Sequence, residues 1–310
     1  MTDASVGPAE ARRAVADAIP DESVGVVRRL DDGTNAVFRV EADSGAYVVK
    51  YSTFSGRELL AAEVELYRLL ARTDLPVPRV VDAALDTGER PAFVVTESLP
   101  GASPEADAVG PALAREMGAT LREFASVPPL GGYGRLRRAP DRTPPLVAPE
   151  DTWRAYVEWY ADVLCSKPAA PLAACADDVR AVIDETLPAV PAEPEPALVV
   201  SDFRPSNLHA GARGRIVGVF DLERAAVGDL RFALVNTAYL LTRHRPELTE
   251  ELRDAIFDGF GDEVDGELRR CYRALAVARE IRGFDFWWGE SGNADEQAAN
   301  VRRIVAELTE

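Results

Sequence analysis

The hydrophobic pattern of the chain changes near residue 98, from short strand-like runs to longer helical ones. Before that point, β-branched and other apolar residues form five short runs that predict strands. These runs cover 24–30, 36–41, 46–51, 79–84 and 92–97. Residues 56–72 place apolar side chains at helical spacing, and 1–22 predict an amphipathic lead-in helix. The pattern therefore predicts a small antiparallel sheet with one main helix over residues 1–98.

Beyond residue 98, most apolar residues recur at helical spacing. The predicted helices cover 108–126, 150–165, 175–187, 229–243, 248–260, 266–282 and 293–308. Stretches rich in Pro, Ala and Glu at 139–149 and 188–197 predict loops. The pattern indicates an α+β fold with an N-terminal lobe over 1–98, a larger helical lobe over 99–310 and no internal repeat.

Composition narrows the classes of partner. The chain has 310 residues, 47% of them hydrophobic, and a formal net charge of −17. This acidity argues against nucleic acid as a partner, because phosphate backbones bind basic surfaces. Only two of the 35 basic residues are lysines, a composition similar to that of proteins from salt-accumulating halophiles. The acidity therefore does not by itself indicate a cationic substrate.

Cysteine usage and hydropathy bear on the cellular location. The three cysteines are irregularly spaced and form neither a metal-binding pattern nor an even disulfide set, as expected in a reducing cytoplasm. No apolar run approaches the length of a membrane span, and the first ten residues lack a basic, apolar leader. We expect a soluble cytoplasmic protein without a membrane partner, and the sequence leaves monomer and homodimer open.

Two acids and an amide form the most informative motif. Asp202 and Asn207 are five positions apart, and Asp221 follows the apolar run 216–220. Phosphoryl transfer needs a carboxylate that accepts the proton of a hydroxyl, and oxygen ligands that hold magnesium against a triphosphate. The spacing reproduces the catalytic-loop pattern of kinases. We interpret Asp202 as the catalytic base and Asn207 and Asp221 as Mg²⁺ ligands, with ATP or GTP as the cofactor.

Lys50 ends a strand-like run and is one of only two lysines. A compact ammonium suits the α- and β-phosphates at this place, where a planar guanidinium does not. In the helix that follows, Glu63 falls on the apolar face, whereas Glu58 and Glu65 point towards solvent. A carboxylate on a buried stripe is costly unless it is paired, so we predict a Lys50–Glu63 ion pair. The alternatives are a solvated lysine and a glutamate at the edge of the stripe.

A glycine-bearing loop, Asp31–Asn35, separates the first two predicted strands. Backbone N–H groups of Gly33, Thr34 and Asn35 can lie over phosphates in such a loop. The alternative is an ordinary hairpin turn, in which Asp-Gly is common. Its place one hairpin before Lys50 favours nucleotide binding by these three residues.

Several stretches resemble the motifs of one family. Residues 200–207 read Val-Ser-Asp-Phe-Arg-Pro-Ser-Asn, followed by Asp-Leu-Glu at 221–223 and Gly-Asp-Leu at 228–230. They are similar to the His-Gly-Asp-Leu-His-Pro-x-Asn, Asp-Trp-Glu and Gly-Asp-Pro motifs of the aminoglycoside phosphotransferase and choline kinase-like family of small-molecule kinases. Residues 75–80 and 97–101 also resemble its post-helix turn and its hinge.

The resemblance covers about residues 24–240 and implies a two-lobed, protein-kinase-like fold. It implies a kinase that transfers the γ-phosphoryl of a nucleoside triphosphate to a hydroxyl of a small metabolite or aminoglycoside-like acceptor. The nucleotide-anchoring residues it implies are Lys50, Glu63 and, at the hinge, Glu97. It also implies Asp202 as the base, with Asn207 and Asp221 as ligands of the metal.

Several positions depart from the family motifs. Val200 and Ser201 stand where His and Gly are usual, Arg204 replaces the second His, and Leu230 and Ala233 replace Pro and a later Asp. The first His generally buttresses the loop, so its loss is compatible with activity. A nucleotide-binding pseudokinase with a regulatory or scaffold role remains the alternative. A protein kinase is disfavoured, because few residues separate the Asp-Leu-Glu motif from the next helix and leave no room for a long activation loop.

Two clusters of aromatic and acidic residues in the helical lobe are candidates for an acceptor pocket. They are Trp153, Tyr156, Trp159 and Tyr160 in one cluster, and Phe284, Asp285, Phe286, Trp287, Trp288 and Glu290 in another. Aromatic faces with carboxylates can cradle a cation or a sugar ring. Aromatics at helical spacing are more often core residues, and this alternative is favoured for the first cluster.

Overall fold

A computed structural model describes residues 6–30, 35–88, 90–127, 130–264, 266–289 and 292–310. These residues divide into two compact units. The first unit comprises Met1–Glu105, Leu136–Val147 and Pro205–Ala225. The second unit comprises Ala106–Arg135, Ala148–Arg204 and Ala226–Glu310. The first unit thus includes residues 99–105, 136–147 and 205–225 from the range 99–310. The division into domains 1–98 and 99–310 stays a prediction.

The first unit is built on a five-stranded antiparallel sheet. Its strands are β1 (Val24–Leu30), β2 (Ala36–Ala42), β3 (Gly45–Tyr51), β4 (Val80–Ala84) and β5 (Phe93–Glu97). Its two helices are α1 (Pro8–Ala18) and α2 (Arg57–Leu70). The strand order is β1-β2-β3-β5-β4, and each of the seven elements overlaps the one predicted for it.

The two faces of this sheet are covered by different helices. Val49 and Val95 pack in one core cluster with residues of α1, whereas Val94 packs in another with Leu60 of α2. Successive side chains of a strand point to opposite faces. Lys50, next to Val49 on β3, therefore lies on the face that α2 covers.

The later strands are short. They are β6 (Gly134–Arg135), β7 (Arg137–Arg138), β8 (Leu146–Val147), β9 (Ala197–Val199), β10 (Leu208–Ala210), β11 (Ile216–Val219) and β12 (Ala226–Gly228). The pairs β7–β8 and β10–β11 belong to the first unit, and β6, β12 and β9 form a three-stranded sheet in the second. Strand β8 lies inside the range 139–149, where a loop was predicted. It was not predicted because a strand of two residues leaves no periodic signal in the sequence.

Helices make up most of the second unit. They are α3 (Pro111–Glu123), α4 (Trp153–Cys165), α5 (Ala173–Thr186), α6 (Leu230–Thr242), α7 (Thr249–Phe260), α8 (Gly266–Trp288) and α9 (Ala294–Thr309). All seven overlap the predicted helices, and α8 extends six residues beyond its predicted end at 282. None of the helices in the described ranges combines the length and apolar character that a membrane span needs.

Candidate active site

Lys50 lies at the centre of an acidic cluster in the first unit. Its Nζ atom is 2.8 Å from Glu63 Oε2, 2.6 Å from Asp221 Oδ1 and 3.2 Å from Glu223 Oε2. Strand β3 supplies the lysine, α2 supplies Glu63, and the two other acids follow β11. The structure contains the Lys50–Glu63 ion pair that the sequence predicts, and the role of the pair at a nucleotide stays a prediction.

Burial and charge act against each other in this cluster. The side chain of Glu63 is fully buried, and that of Lys50 is 13% exposed. Burial alone would lower the pKa of Lys50, but the charges of Glu63, Asp221 and Glu223 outweigh it and raise that pKa well above its ordinary value. Burial raises the pKa of Glu63, against the opposing charge of Lys50. Three carboxylates thus share one ammonium, and the excess negative charge favours binding of a further cation.

Helix α2 also holds the backbone at Asp221. The Tyr67 hydroxyl accepts the Asp221 N–H at 3.0 Å and donates to Glu63 Oε1 at 2.8 Å. The same Glu63 oxygen accepts the Leu222 N–H at 2.9 Å. Asp221 has a φ of 62°, in the left-handed region that costs about 1 kcal/mol or more for a residue with a side chain. These hydrogen bonds from α2 stabilise that backbone conformation.

Replacing Tyr67 with Phe removes the hydroxyl that accepts the Asp221 N–H. We expect the free energy of unfolding to fall by about 1–3 kcal/mol, since a partly buried N–H loses its partner. Urea unfolding measures the effect.

Tyr47→Phe is a matched control in the same unit, since its hydroxyl bonds to the exposed residue Ser44 at 2.8 Å. Equal stability losses in the Tyr67 and Tyr47 variants would contradict the assigned role of Tyr67.

Glu223 is a site residue to which the sequence analysis gave no role. Its Oε2 atom accepts from Lys50 and, at 3.2 Å, from Asn35 Nδ2. Carboxylate oxygens of Glu63, Asp221 and Glu223 all lie within 4.8 Å of one another. Hard divalent cations such as Mg²⁺ and Ca²⁺ prefer oxygen ligands, so this donor set fits such an ion. The Asp-Leu-Glu motif at 221–223 is the sequence signal from which Glu223 could have been identified.

Asn207 is brought towards Asp221 by a hairpin. The short turn Pro205–Asn207 leads into β10, and Leu208 of β10 pairs with Val219 of β11. The Asn207 carbonyl accepts the N–H of Phe220 at 3.1 Å. The hairpin therefore places the two predicted metal ligands, Asn207 and Asp221, at the same end of paired strands, and their role as ligands stays a prediction.

Asn35 is buried and bonds to protein groups. Its Oδ1 atom accepts the N–H groups of Phe54 at 3.0 Å and Ser55 at 3.2 Å, just before α2. Its side chain thus links the start of β2, the segment before α2 and Glu223. Gly33 and Thr34, which were also predicted to bind nucleotide, lie outside the described residues.

Two further glutamates were assigned from the sequence. Glu97 ends β5, is exposed and donates its N–H to the Arg79 carbonyl at 3.0 Å, and its role at a nucleotide-binding hinge stays a prediction. The expectation that Glu65 faces solvent is wrong. Glu65 is buried, 2.9 Å from Arg68 and 3.7 Å from Arg138, because β7 packs against α2.

Asp202, the predicted base, belongs to the second unit and follows β9. Its Oδ1 atom accepts from Arg279 Nη2 at 2.8 Å, and its Oδ2 atom is 3.5 Å from Arg204 Nε. The Asp202 side chain is 14% exposed. Arg279 lies on α8, and nothing in the sequence pattern indicated its pairing with a residue 77 positions away.

The first aromatic cluster is mainly core, as favoured from the sequence. Trp153, Tyr156 and Tyr160 are buried, and Trp159 is exposed. Trp153 Nε1 donates to the Tyr272 hydroxyl at 2.9 Å, and its ring lies so close to Gly228 that a Cβ there would come within 2.1 Å of it. The Trp153 ring therefore explains the glycine of the Gly-Asp motif.

The second aromatic cluster lies at the C-terminal end of α8. Phe284 is buried, Phe286 and Trp287 are exposed, and Asp285 is also on the surface. Adjacent Trp287 and Trp288 differ in burial, as expected for neighbours on a helix. Glu290 lies outside the described residues, and acceptor binding by Asp285 stays a prediction.

The chain matches one protein-family model and is similar in fold to several solved structures. A family model described as the phosphotransferase enzyme family matches residues 26–275. Among curated proteins, none matches the chain. A thermostable mutant of aminoglycoside phosphotransferase APH(4)-Ia in its apo form has a TM-score of 0.75 at 18% identity, covering 96% of this chain and 98% of that one.

Two other solved structures are similar in fold. Amicoumacin kinase hAmiN in complex with AMP-PNP, Ca²⁺ and Ami has a TM-score of 0.65 at 16% identity, covering 91% of this chain and 88% of that one. The streptomycin-ATP-APH(2″)-IIa ternary complex has a TM-score of 0.61 at 16% identity, covering 100% and 99%. At these identities the likeness shows the fold, and the predicted α+β, kinase-like fold is confirmed.

The family match covers more than half of the chain, including the Lys50 strand, α2, and the segments that carry Asp202, Asn207 and Asp221. The predicted enzyme class, a phosphotransferase with an alcohol group as acceptor, is confirmed, and so is the predicted family. The chain belongs to the phosphotransferase enzyme family.

Proposed function

We propose that the protein transfers the γ-phosphoryl group of ATP or GTP to a hydroxyl of a small metabolite or an aminoglycoside-like acceptor. The observation that carries the proposal is the ammonium of Lys50, held by Glu63 and Asp221 at hydrogen-bonding distance. The names of similar structures support the donor and acceptor classes, since one contains ATP with streptomycin and another AMP-PNP with amicoumacin kinase.

In this proposal Asn207 and Asp221 would hold Mg²⁺, and Glu223, whose carboxylate lies within 4.8 Å of that of Asp221, would offer a further oxygen ligand. The bound ion would supply positive charge that neutralises the phosphates during transfer. Lys50 donates to the α- and β-phosphates, and Glu63 orients its ammonium. Calcium in the amicoumacin kinase structure supports a divalent cation, and magnesium as the ion is our prediction.

Asp202 has the role of base. Its carboxylate orients the acceptor hydroxyl and takes its proton, while the acceptor oxygen forms a bond to the γ-phosphorus. The bond between that phosphorus and the nucleoside diphosphate breaks, and the diphosphate leaves with the electron pair. The base contributes orientation as much as proton removal, because the transition state of such transfers is largely dissociative.

Asp221→Ala is the variant that tests the proposal. The wild-type protein should be stabilised against heat by Mg-ATP or Mg-GTP in a magnesium-dependent way, since a ligand that binds only the folded state raises its stability. The variant should lose most of that shift, because a metal ligand is absent. We expect a stabilisation of about 2.7 kcal/mol for the wild type at nucleotide concentrations near 100 times Kd. High KCl suits the measurement if the acidic surface is an adaptation to salt.

Asp82→Ala is the matched control, because Asp82 is an exposed acid on β4 of the same unit. It should keep the full shift. Absence of a magnesium-dependent shift with either nucleotide in the wild type would contradict the proposed function, and an undiminished shift in Asp221→Ala would contradict the assigned ligand.

A further inference from the structure

The loop that carries Asp202 is held by polar side chains from two helices of the second unit. Val200, at its start, is buried and has an apolar side chain that cannot form hydrogen bonds. The Ser201 carbonyl accepts from Asn236 Nδ2 of α6 at 2.6 Å and from Arg279 Nη1 of α8 at 2.8 Å. Helices α6 and α8 therefore both supply hydrogen-bond donors to this loop.

One guanidinium contacts both the backbone and the functional side chain of this loop. Arg279 donates through Nη1 to the Ser201 carbonyl and through Nη2 to Asp202 Oδ1, each at 2.8 Å. Because the guanidinium is planar and its N–H groups are fixed in direction, the two bonds together set the Asp202 side chain relative to its own backbone. A lysine ammonium cannot bridge the same pair of acceptors with that geometry.

The guanidinium is itself restrained. The side chain of Arg279 is 13% exposed, and its Cζ atom lies 5.9 Å from the centre of the Trp287 ring, two turns further along α8. An arginine over an indole face gains a cation–π attraction. Trp287 thus helps to hold the Arg279 guanidinium in the position from which it contacts Asp202.

We infer that Arg279 is a positioning residue for phosphoryl transfer, which orients Asp202 towards the acceptor hydroxyl. This inference rests on the proposed role of Asp202 as the base. A carboxylate displaced by about 1 Å from its productive position can cost a factor on the order of 100 in rate. Arg279 acts through Asp202 and needs no contact with nucleotide or acceptor.

The test compares Arg279→Gln, Arg279→Lys and Arg282→Gln with the wild type. Arg282 is a matched control on the same helix, where it donates to the Val163 carbonyl and to Ser166. One readout is the single-turnover release of phosphate from γ-labelled ATP with magnesium, with water as the acceptor. The second is the ATP dissociation constant, and the third is amide hydrogen exchange in peptides that span residues 199–207.

Arg279→Gln should lower the single-turnover rate by about 10- to 100-fold while the ATP dissociation constant changes less than about twofold. Arg279→Lys should fall between this variant and the wild type, and Arg282→Gln should match the wild type. Amide exchange in 199–207 should be faster in Arg279→Gln only. A general loss of structure would change nucleotide binding as well. A lower rate with a nearly unchanged ATP dissociation constant therefore indicates that Arg279 positions Asp202.

Unchanged exchange in 199–207 together with an unchanged rate in Arg279→Gln would overturn the inference. If Arg279→Gln does not fold, Arg279→Lys is the variant to compare with the wild type. Lysine keeps the positive charge and a similar aliphatic chain, but it cannot make both hydrogen bonds, to the Ser201 carbonyl and to Asp202, in the arginine geometry. A wild-type protein that neither binds Mg-ATP nor releases phosphate would instead refute the proposed function, and the exchange comparison would still decide whether Arg279 orders the loop.

Discussion

Replacing Asp202 with Asn is expected to lower the rate of phosphoryl transfer by about 10²–10⁴-fold, the usual contribution of a general base. Asparagine has nearly the same shape, and its oxygen can still accept from Arg279, but the amide cannot take the acceptor proton. Binding of Mg-ATP should remain within about twofold of the wild type, because Asp202 is not assigned to the nucleotide. Single-turnover kinetics and nucleotide titration on the same preparation measure both quantities.

Asp177→Asn supplies the control for that experiment, since Asp177 is an exposed acid on α5 of the same unit. It should leave rate and binding unchanged. A transfer rate in Asp202→Asn within a few-fold of the wild type would rule out Asp202 as the base.

Lys50→Met should destabilise the unliganded protein by about 3–5 kcal/mol, the usual cost of removing one partner from a buried ion pair. The methionine leaves Glu63, Asp221 and Glu223 close together with no ammonium between them. The loss should shrink at low pH, because protonation neutralises the carboxylates that the lysine no longer offsets. Urea unfolding without nucleotide at two pH values measures the change, and the nucleotide-induced shift should also be lost.

The chain offers a close control, because its other lysine, Lys167, is exposed just after α4. Lys167→Met removes the same charge from the protein and should change the free energy of unfolding by less than about 0.5 kcal/mol. Similar stability in the two variants would mean that the acidic cluster does not depend on Lys50.

The elements and one ion pair were predictable because they leave local signals. Helical periodicity placed Glu63 on the buried face of α2, and a buried carboxylate needs a cation, so its pairing with Lys50 followed. The same periodicity gives no sign that the hydroxyl of Tyr67 bonds to Asp221, 154 positions later. Periodicity identifies which face of a helix is buried, but it does not identify the residue that a buried polar group bonds to.

The features that the sequence did not predict depend on contacts between residues far apart in the chain. Arg279 contacts Asp202 because of the way α8 packs in the second unit. Nearly all the basic residues of the chain are arginines, so nothing in the sequence distinguishes Arg279 from the others. Glu65 was misplaced because the strand that covers it, β7, has two residues and is too short to predict.

The hydrogen bonds between α2 and the backbone at Asp221 have a consequence for the thermodynamics of binding. The side chains of Glu63 and Tyr67 accept the backbone N–H groups of Leu222 and Asp221. Helix α2 therefore cannot shift away from Asp221 without leaving both N–H groups without these partners. A site arranged in this way before its ligand arrives loses little conformational entropy on binding. We expect α2 to keep its position relative to Asp221 during turnover. Any movement that admits or releases substrates should then take place elsewhere in the protein.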